Sequence, residues 1–371
     1  MAGYAGALMR ILYVIGTRPN LVKTAPVITA LRRRLPDADH VVVHTGQHYD
    51  RMMSQVFFEE LDVPEPGHTL DVGSGTHAQQ TARVMERLEP VLLDPRPDLV
   101  LVPGDVNSTL AAALTAAKLE IPLGHIESGL RSFDRSMPEE INRIVADEVS
   151  DLLFLHSEEA AENLSAEGIA DERMHFVGNT MIDTLIALED RFRAAGAAAD
   201  AGVEPRNYLL VTLHRPALVD GPLLEETMTR LAEVAAELPV VFPVHPRTRK
   251  MMEGLDLDAP GLRLIDPIGY LDFLSLEADA AGVLTDSGGI QEETTYLGVP
   301  CFTLRDNTER PVTIRAGTNT LLGLDPAAIA GIPEALESAP PAAKEPPPLW
   351  DGRASERIAD VVEGLPAAVE P

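Results

Sequence analysis

The stretch richest in reactive side chains is 125–147, HIESGLRSFDRSMPEEINRIVAD. Glu127 ends the short apolar run IPLGHIE, the place where a strand presents a side chain at its carboxyl edge. Pro138 is a favoured first helical residue. Glu139 and Arg143 then stand four apart on one helix face and can pair. A surface salt bridge is the ordinary meaning of that spacing. Asp105 follows a second apolar run, LVLVP, in Gly104-Asp105-Val106-Asn107-Ser108-Thr109, where on its own it reads as a helix cap. Together, however, Asp105, Glu127 and Glu139 would surround one site with carboxylates. Such clusters raise one another's pKa toward the working range of a general acid or base.

A second set of residues suits anions. In GTRPNLVKTAP (16–26) the cations Arg18 and Lys23 bracket a strand-to-helix turn, an arrangement that favours phosphate or an oxyanion. His214-Arg215 follows the strand-like LLVT, and His245-Pro246-Arg247 follows VVFPV; a histidine beside an arginine at two strand ends points to a polyanionic ligand. Asp286-Ser287-Gly288-Gly289-Ile290-Gln291-Glu292-Glu293 opens a helix. Its glycines bare backbone N–H groups to a phosphate, and Glu293 one turn later can hold ribose hydroxyls. Arg310 in TERP adds a cation. These residues read as a diphosphate-sugar nucleotide site. There is no Walker A, GxGxxG or HExxH pattern for ATP, NAD or zinc chemistry, so no cofactor and no metal is expected.

The elements that must position these residues alternate. Ile11–Ile15, Val41–His44, Leu99–Pro103 and Leu152–Leu155 are apolar strands. Helical stretches follow them at Leu21–Arg34, Asp50–Leu61, Leu110–Leu119 and Glu158–Glu167. The second half repeats the pattern with strands Leu209–Thr212, Val240–Val244 and Gly282–Thr285, each followed by a helix. Uninterrupted apolar strands between amphipathic helices predict parallel sheets covered on both faces. The expected fold class is therefore α/β: two Rossmann-like, doubly wound domains, with ligands at the strands' carboxyl ends in an interdomain cleft. The boundaries read as 1–178 and 179–345. The proline-rich 333–348 would be an extended crossing, and a helix at 351–366 would pack back on the first domain.

Composition removes several function classes. The chain has 371 residues, 45% of them hydrophobic, enough for a sizeable core. Its net charge of −28 argues against nucleic-acid or anionic-membrane partners. The single cysteine, Cys301, excludes an intrachain disulfide and a Cys-rich metal centre. No apolar run is long enough to span a membrane, and the first charge, Arg10, falls inside the N-terminal apolar run rather than before it. The expectation is a cytoplasmic protein. An acidic, lysine-poor surface also suits an acidic proteome in concentrated salt, where screening suppresses self-repulsion.

Taken in order, GTRPNLVKTAP, TGQHYD, PGDVNST, HIESGLRSFDRSMPEEINR, VGNTMIDTL, TLHR, FPVHPRT, TDSGGIQEE and LRDNTERP resemble the non-hydrolysing UDP-N-acetylglucosamine 2-epimerases over about residues 9–365. The resemblance implies the GT-B architecture and reversible conversion of UDP-GlcNAc to UDP-ManNAc through elimination of UDP, a 2-acetamidoglucal, and re-addition. It implies that Asp105, Glu127 and Glu139 handle the C2 proton, that Arg143 orients Glu139, and that His214 contacts the diphosphate and assists the leaving group. Arg18, Ser287, Gly288 and Gly289 would bind phosphates and Glu293 the ribose. Lys23 and Arg310 would lie along the diphosphate-sugar, with His245 and Phe273 among the other substrate contacts. A homodimer is implied by family alone.

Two departures stand out. Pro216-Ala217-Leu218-Val219-Asp220 replaces a usual Glu-Asn pair after His214-Arg215, in a loop expected to border the cleft. This keeps open a 2-epimerase of another UDP-2-acetamido sugar, such as a diacetamido-uronate. A GT-B glycosyltransferase is a further alternative. Some family members bind a second UDP-GlcNAc as activator; Gln47, His48 and Gln80 match that subsite, but Gln79 occupies its arginine position.

Overall fold

The computed structural model describes residues 9–46, 58, 60–219, 221–252, 254, 255, 257, 259–338 and 345–365. The chain divides into two compact units. The first comprises residues 1–186 with 348–371, the second 187–347. Both boundaries fall later than the sequence suggested, because the helix Thr180–Ala195 begins anchored in the first unit. There the Thr184 hydroxyl donates to the Val22 carbonyl at 2.7 Å.

The first unit is a parallel sheet in the order β3-β2-β1-β4-β5-β6-β7. Its strands are β1 (Arg10–Ile15), β2 (Asp39–His44), β3 (His68–Thr69), β4 (Leu99–Pro103), β5 (Leu123–Ser128), β6 (Leu152–Leu155) and β7 (Met174–Phe176). β4 is buried along its whole length, as its unbroken LVLVP run requires in a sheet covered on both faces. On one side the helix His77–Leu93 buries only Val84, Leu88 and Leu92, a narrow stripe at i, i+4 and i+8. Beside it the Ala-rich helix Asn107–Lys118 buries Ala111, Ala112, Ala113 and Ala116.

The second unit repeats the winding in the order β10-β9-β8-β11-β12-β13, again parallel. Its strands are β8 (Leu209–Thr212), β9 (Val240–Pro243), β10 (Leu262–Ile265), β11 (Gly282–Thr285), β12 (Cys301–Thr303) and β13 (Asn319–Leu321). In each unit the order reverses beside the first strand, at β1/β4 and at β8/β11. That switch point is where an open α/β sheet offers its crevice to a ligand.

The C-terminal helix Ala354–Glu363 belongs to the first unit and lies on the helix Arg18–Arg34, with Arg34 paired to Asp360 at 2.8 Å. Asp183 caps its start, accepting from Ala354 N at 3.1 Å and from Ser355 N and Oγ at 2.7 and 2.6 Å. The segment 333–348 is not extended throughout. Residues Ile332–Ser338 form a helix, since Pro333 falls in the first turn, where a missing N–H costs nothing; residues 339–344 lie outside the described ones. So does most of the Asp50–Leu61 stretch. Among the described residues no helix is long and apolar enough to cross a membrane.

Candidate active site

In the first unit the loop after β1 is held against the end of β4 by one side chain. Asn20 Oδ1 accepts from the amides of Gly16 and Thr17 at 3.2 and 3.1 Å, while its Nδ2 donates to the Pro103 carbonyl at 3.1 Å. A Cβ on Gly16 would stand 2.7 Å from the Ser108 side chain, so only glycine lets the two loops meet. Arg18 opens the helix, half-buried, and Lys23 one turn later is buried. Lys23 forms an ion pair with Glu127.

Glu127 sits at an irregularity in β5, where the register with β6 shifts between Ile126 and Ser128. Its φ of 67° lies in the left-handed region, which costs a non-glycine residue about 1–3 kcal/mol and marks functional positions. The bulge re-aims the carboxylate. A Cβ on Gly104 would lie 3.3 Å from Glu127 Oε2 and 3.4 Å from Lys23 Nζ, which places this ion pair beside the peptide that leads into Asp105. Asp105 in turn pairs with Arg143.

Arg143 does not pair with Glu139. It pairs with Asp105 and with Glu140, the latter at 2.5 Å. The reason is that Glu140 faces inward and is fixed first, accepting from Ser132 N, Ser132 Oγ and Phe133 N at 2.8–2.9 Å. Glu139 remains half-buried at the helix start. Spacing alone could not separate i+3 from i+4 here, so Glu140 was missed. A further chain of hydrogen bonds runs from Gln80 to Asn107 Nδ2 (2.8 Å), from Asn107 Oδ1 to Asn142 Nδ2 (3.4 Å), and from there to the Asp105 carbonyl (2.8 Å). Gln47 and His48 lie outside the described residues.

In the second unit the same switch point carries different chemistry. Asp286, fully buried after β11, accepts from the amides of His214 and Arg215 at 2.9 and 2.7 Å and pairs with His214 Nδ1 at 2.8 Å. Burial alone would raise its pKa. The hydrogen bond and charge of His214, with the two amides, outweigh burial and hold Asp286 below the usual carboxylate range. The His214 side chain is 60% exposed, so a buried acid orients a ring whose Nε2 is left for a ligand.

Ser287 precedes the helix Gly288–Leu297, whose first-turn amides have no intrahelical acceptors. Arg310 packs directly on Gly288, where a Cβ would meet its guanidinium at 2.4 Å. Arg310 is buried, paired with Glu309 and, at 2.9 Å, with Glu292. Gly289 is the next residue of that turn. Glu293 is buried and accepts from Tyr270 Oη at 2.6 Å. Burial, then the Glu293 charge, drive the Tyr270 pKa well up. Phe273 lies half-buried on the helix Tyr270–Asp279, against the core that includes Leu276 and Ile290. His245 is exposed at the start of the helix Pro246–Met251.

The sequence reading missed Asp286 as a partner of His214, 72 residues away, and Tyr270 as a partner of Glu293. Of the segment 216–220, expected in a loop bordering the cleft, residues Pro216–Val219 form a short helix, and Leu218 and Val219 are buried in the second unit's core, an apolar role that their residue types fit. Asp220 lies outside the described residues. Among the described residues no three His, Cys, Asp or Glu side chains are grouped to hold a metal ion.

A family model described as UDP-N-acetylglucosamine 2-epimerase matches residues 30–363. The UDP-N-acetylglucosamine 2-epimerase of Methanocaldococcus jannaschii is 43% identical over 329 residues, 85% of this chain and 88% of that protein. The UDP-2,3-diacetamido-2,3-dideoxy-D-glucuronate 2-epimerase of Pseudomonas aeruginosa is also 43% identical, over 320 residues, 85% of this chain and 88% of that protein. A crystal structure of the M. jannaschii enzyme in complex with UDP-GlcNAc and UDP has a TM-score of 0.86 and 40% identity, covering 96% of this chain and 99% of that one. With two Rossmann-like units of matching topology the fold class is α/β, GT-B. On the family match and these identities, the chain belongs to the UDP-N-acetylglucosamine 2-epimerase family.

Proposed function

We propose that the protein interconverts UDP-GlcNAc and UDP-ManNAc. The observation that carries this reading is the pairing of Asp105, two residues past the end of β4, and Glu127, on the adjacent strand β5, each with a buried cation. Epimerisation at C2 needs proton transfer on both faces of the sugar. One carboxylate takes the C2 proton while the C1–O bond breaks, UDP leaving with the bonding pair and a C1=C2 bond forming in the 2-acetamidoglucal. A proton delivered to the other face of C2 and re-addition of UDP at C1 give the epimer. Asp105, Glu127 and Glu139 are the groups for these transfers, and Arg143 holds Asp105 rather than Glu139.

The second unit supplies nucleotide binding in this reading. Amides at Ser287–Gly289 and the Arg310 guanidinium meet the diphosphate, and Arg18 and Lys23 are the first unit's own substrate-binding cations. Glu293, steadied by Tyr270, takes the ribose hydroxyls. His214, oriented by Asp286, assists departure of UDP as a general acid. Phe273 and His245 are further substrate contacts, and Gln80 a contact of a second, activating nucleotide sugar. UDP-ManNAc as product and a homodimer rest on the family resemblance, and a cytoplasmic location rests on the composition. The equal identity to the diacetamido-uronate epimerase supports a second substrate reading with the same chemistry.

The test is proton NMR of the purified protein with UDP-GlcNAc in D2O. The expected result is UDP-ManNAc bearing deuterium at C2. Free sugar, or a C2 proton retained in product, would overturn the mechanism. Turnover of the diacetamido-uronate alone would select the second substrate.

A further inference from the structure

Two residues outside the proposed chemistry tie its parts together. His125 lies on β5, two residues before Glu127. Asp147 lies on the helix Pro138–Val149 that also carries Glu139 and Arg143. Both side chains are fully buried, so neither can touch a substrate. His125 Nε2 contacts the Gly104 carbonyl at 2.7 Å, on the peptide leading into Asp105, and its Nδ1 contacts Asp147 Oδ1 at 2.7 Å. The second Asp147 oxygen accepts from the Gly129 amide at 3.1 Å, two residues beyond Glu127. It also accepts from Arg131 Nη1 at 2.7 Å, and Arg131 reaches on to Glu167. One buried network therefore joins the three elements that present Asp105, Glu127, and Glu139 with Arg143.

We propose that His125 and Asp147 are a positioning pair, fixing the Gly104 carbonyl and the Glu127–Gly129 bulge so that the Asp105 and Glu127 carboxylates hold their reactive geometry. The inference rests on the epimerase reading given above. Stability alone is a weak reason for such a network. A buried ion pair often contributes no more than apolar residues of the same volume, because desolvation offsets the attraction. What distinguishes this one is where its bonds fall: on the peptides flanking two carboxylates, one of them held in left-handed backbone. Glycine at 129 has φ +79°, and a Cβ there would strike the Ala160 carbonyl at 2.7 Å, so the peptide that Asp147 grips has little room to shift.

The test separates the two nitrogens of His125. Gln places an amide donor near the position of Nε2 and keeps the bond to the Gly104 carbonyl; Asn places one near Nδ1 and keeps only the bond to Asp147. His125→Asn is expected to lower kcat about 10–100-fold, the cost of a misplacement of about 1 Å. KM and the Kd for UDP stay unchanged, and His125→Gln recovers most of kcat. Hydrogen exchange at 103–107 is expected to quicken in the Asn variant and not in the Gln variant. A purely structural role predicts lowered melting temperatures in both with unchanged kcat per folded enzyme, and that result, or equal kcat in the two variants, overturns the proposal. If His125→Asn fails to fold, Asp147→Asn serves instead, with faster exchange at 127–130 and a lower kcat expected, and unchanged values of both overturning. Wild-type protein inactive on UDP-GlcNAc would sink the epimerase reading itself, while the exchange measurement would still judge the network.

Discussion

The two units share one winding but hold their charged groups in opposite ways. At the first unit's switch point, carboxylates on strand ends are each faced by a buried cation, Lys23 with Glu127 and Arg143 with Asp105. At the second unit's, the buried acid faces inward to backbone amides and a histidine, beside the first-turn amides of the helix Gly288–Leu297, which have no intrahelical acceptors. The strand order places loops but does not choose the chemistry; the residues on those loops do. The first arrangement suits proton transfer at carbon, and the second suits holding an anion. This division of labour can be broken experimentally.

The largest effect is expected from Glu127→Gln in the first unit. Losing a general acid or base typically costs about 10²–10⁴-fold in rate. The Kd for UDP, measured by calorimetry, is expected to stay at the wild-type value. Gln cannot neutralise Lys23, so part of the loss belongs to a buried unpaired ammonium, and a melting curve of the same variant isolates that part. A variant that loses UDP affinity along with rate would erase the contrast between the units.

A smaller and opposite pattern is expected from Asp286→Asn. The amide keeps the shape but loses the charge, and it offers one acceptor oxygen where the carboxylate offered two. Hydrogen bonds to a charged group are worth about 1.5–3 kcal/mol, so the Kd for UDP should rise about 10–100-fold as the His214–Arg215 turn loosens. Unchanged UDP affinity, with only the rate reduced, would move Asp286 from nucleotide binding to chemistry alone.

How far the sequence carried these assignments depends on distance along the chain. Apolar runs such as LVLVP and LLVT revealed both sheets, and their ends located Asp105, Glu127 and His214 because a buried strand must stop where polar side chains begin. β3 and β13, at two and three residues, are too short to show a period. Partners escaped for a different reason. Asp286 and His214, or His125 and Asp147, meet only once parallel strands and their crossover helices are assembled, and no spacing rule reaches across a crossover. The left-handed backbone of Glu127 was equally hidden, since nothing in HIESG distinguishes a bulge from a regular strand end.

The smallest effect concerns pH, and it tests whether the units differ in stability as well as chemistry. Glu277, on the helix Tyr270–Asp279, is fully buried, and neither of its carboxyl oxygens has a hydrogen-bond partner. Burial, then the charge of Glu293 on the neighbouring helix, raise its pKa well above the usual carboxylate range; Tyr270 and the Cys301 thiol feel its charge too. A carboxyl whose folded pKa exceeds its unfolded value of about 4.3 costs nothing below that value. As pH climbs, the unfolded chain releases the proton and the folded one keeps it, so stability falls by up to about 1.4 kcal/mol per pH unit until the folded pKa is passed. Glu277→Gln cannot titrate. Its amide adds a fixed offset, but its melting temperature relative to wild type should climb steadily from about pH 5 to pH 7, by a few degrees overall. In the first unit the sign reverses for Asp147. Burial alone would raise its pKa, but His125 and Arg131 outweigh that and hold it low, so the stability it contributes is present above about 3.9 and lost as pH falls through the folded pKa. Thermal melts of both proteins across that range decide the matter: parallel curves would show that Glu277 is ionised in the folded chain, and that Glu277 and Glu293 do not compete for a proton.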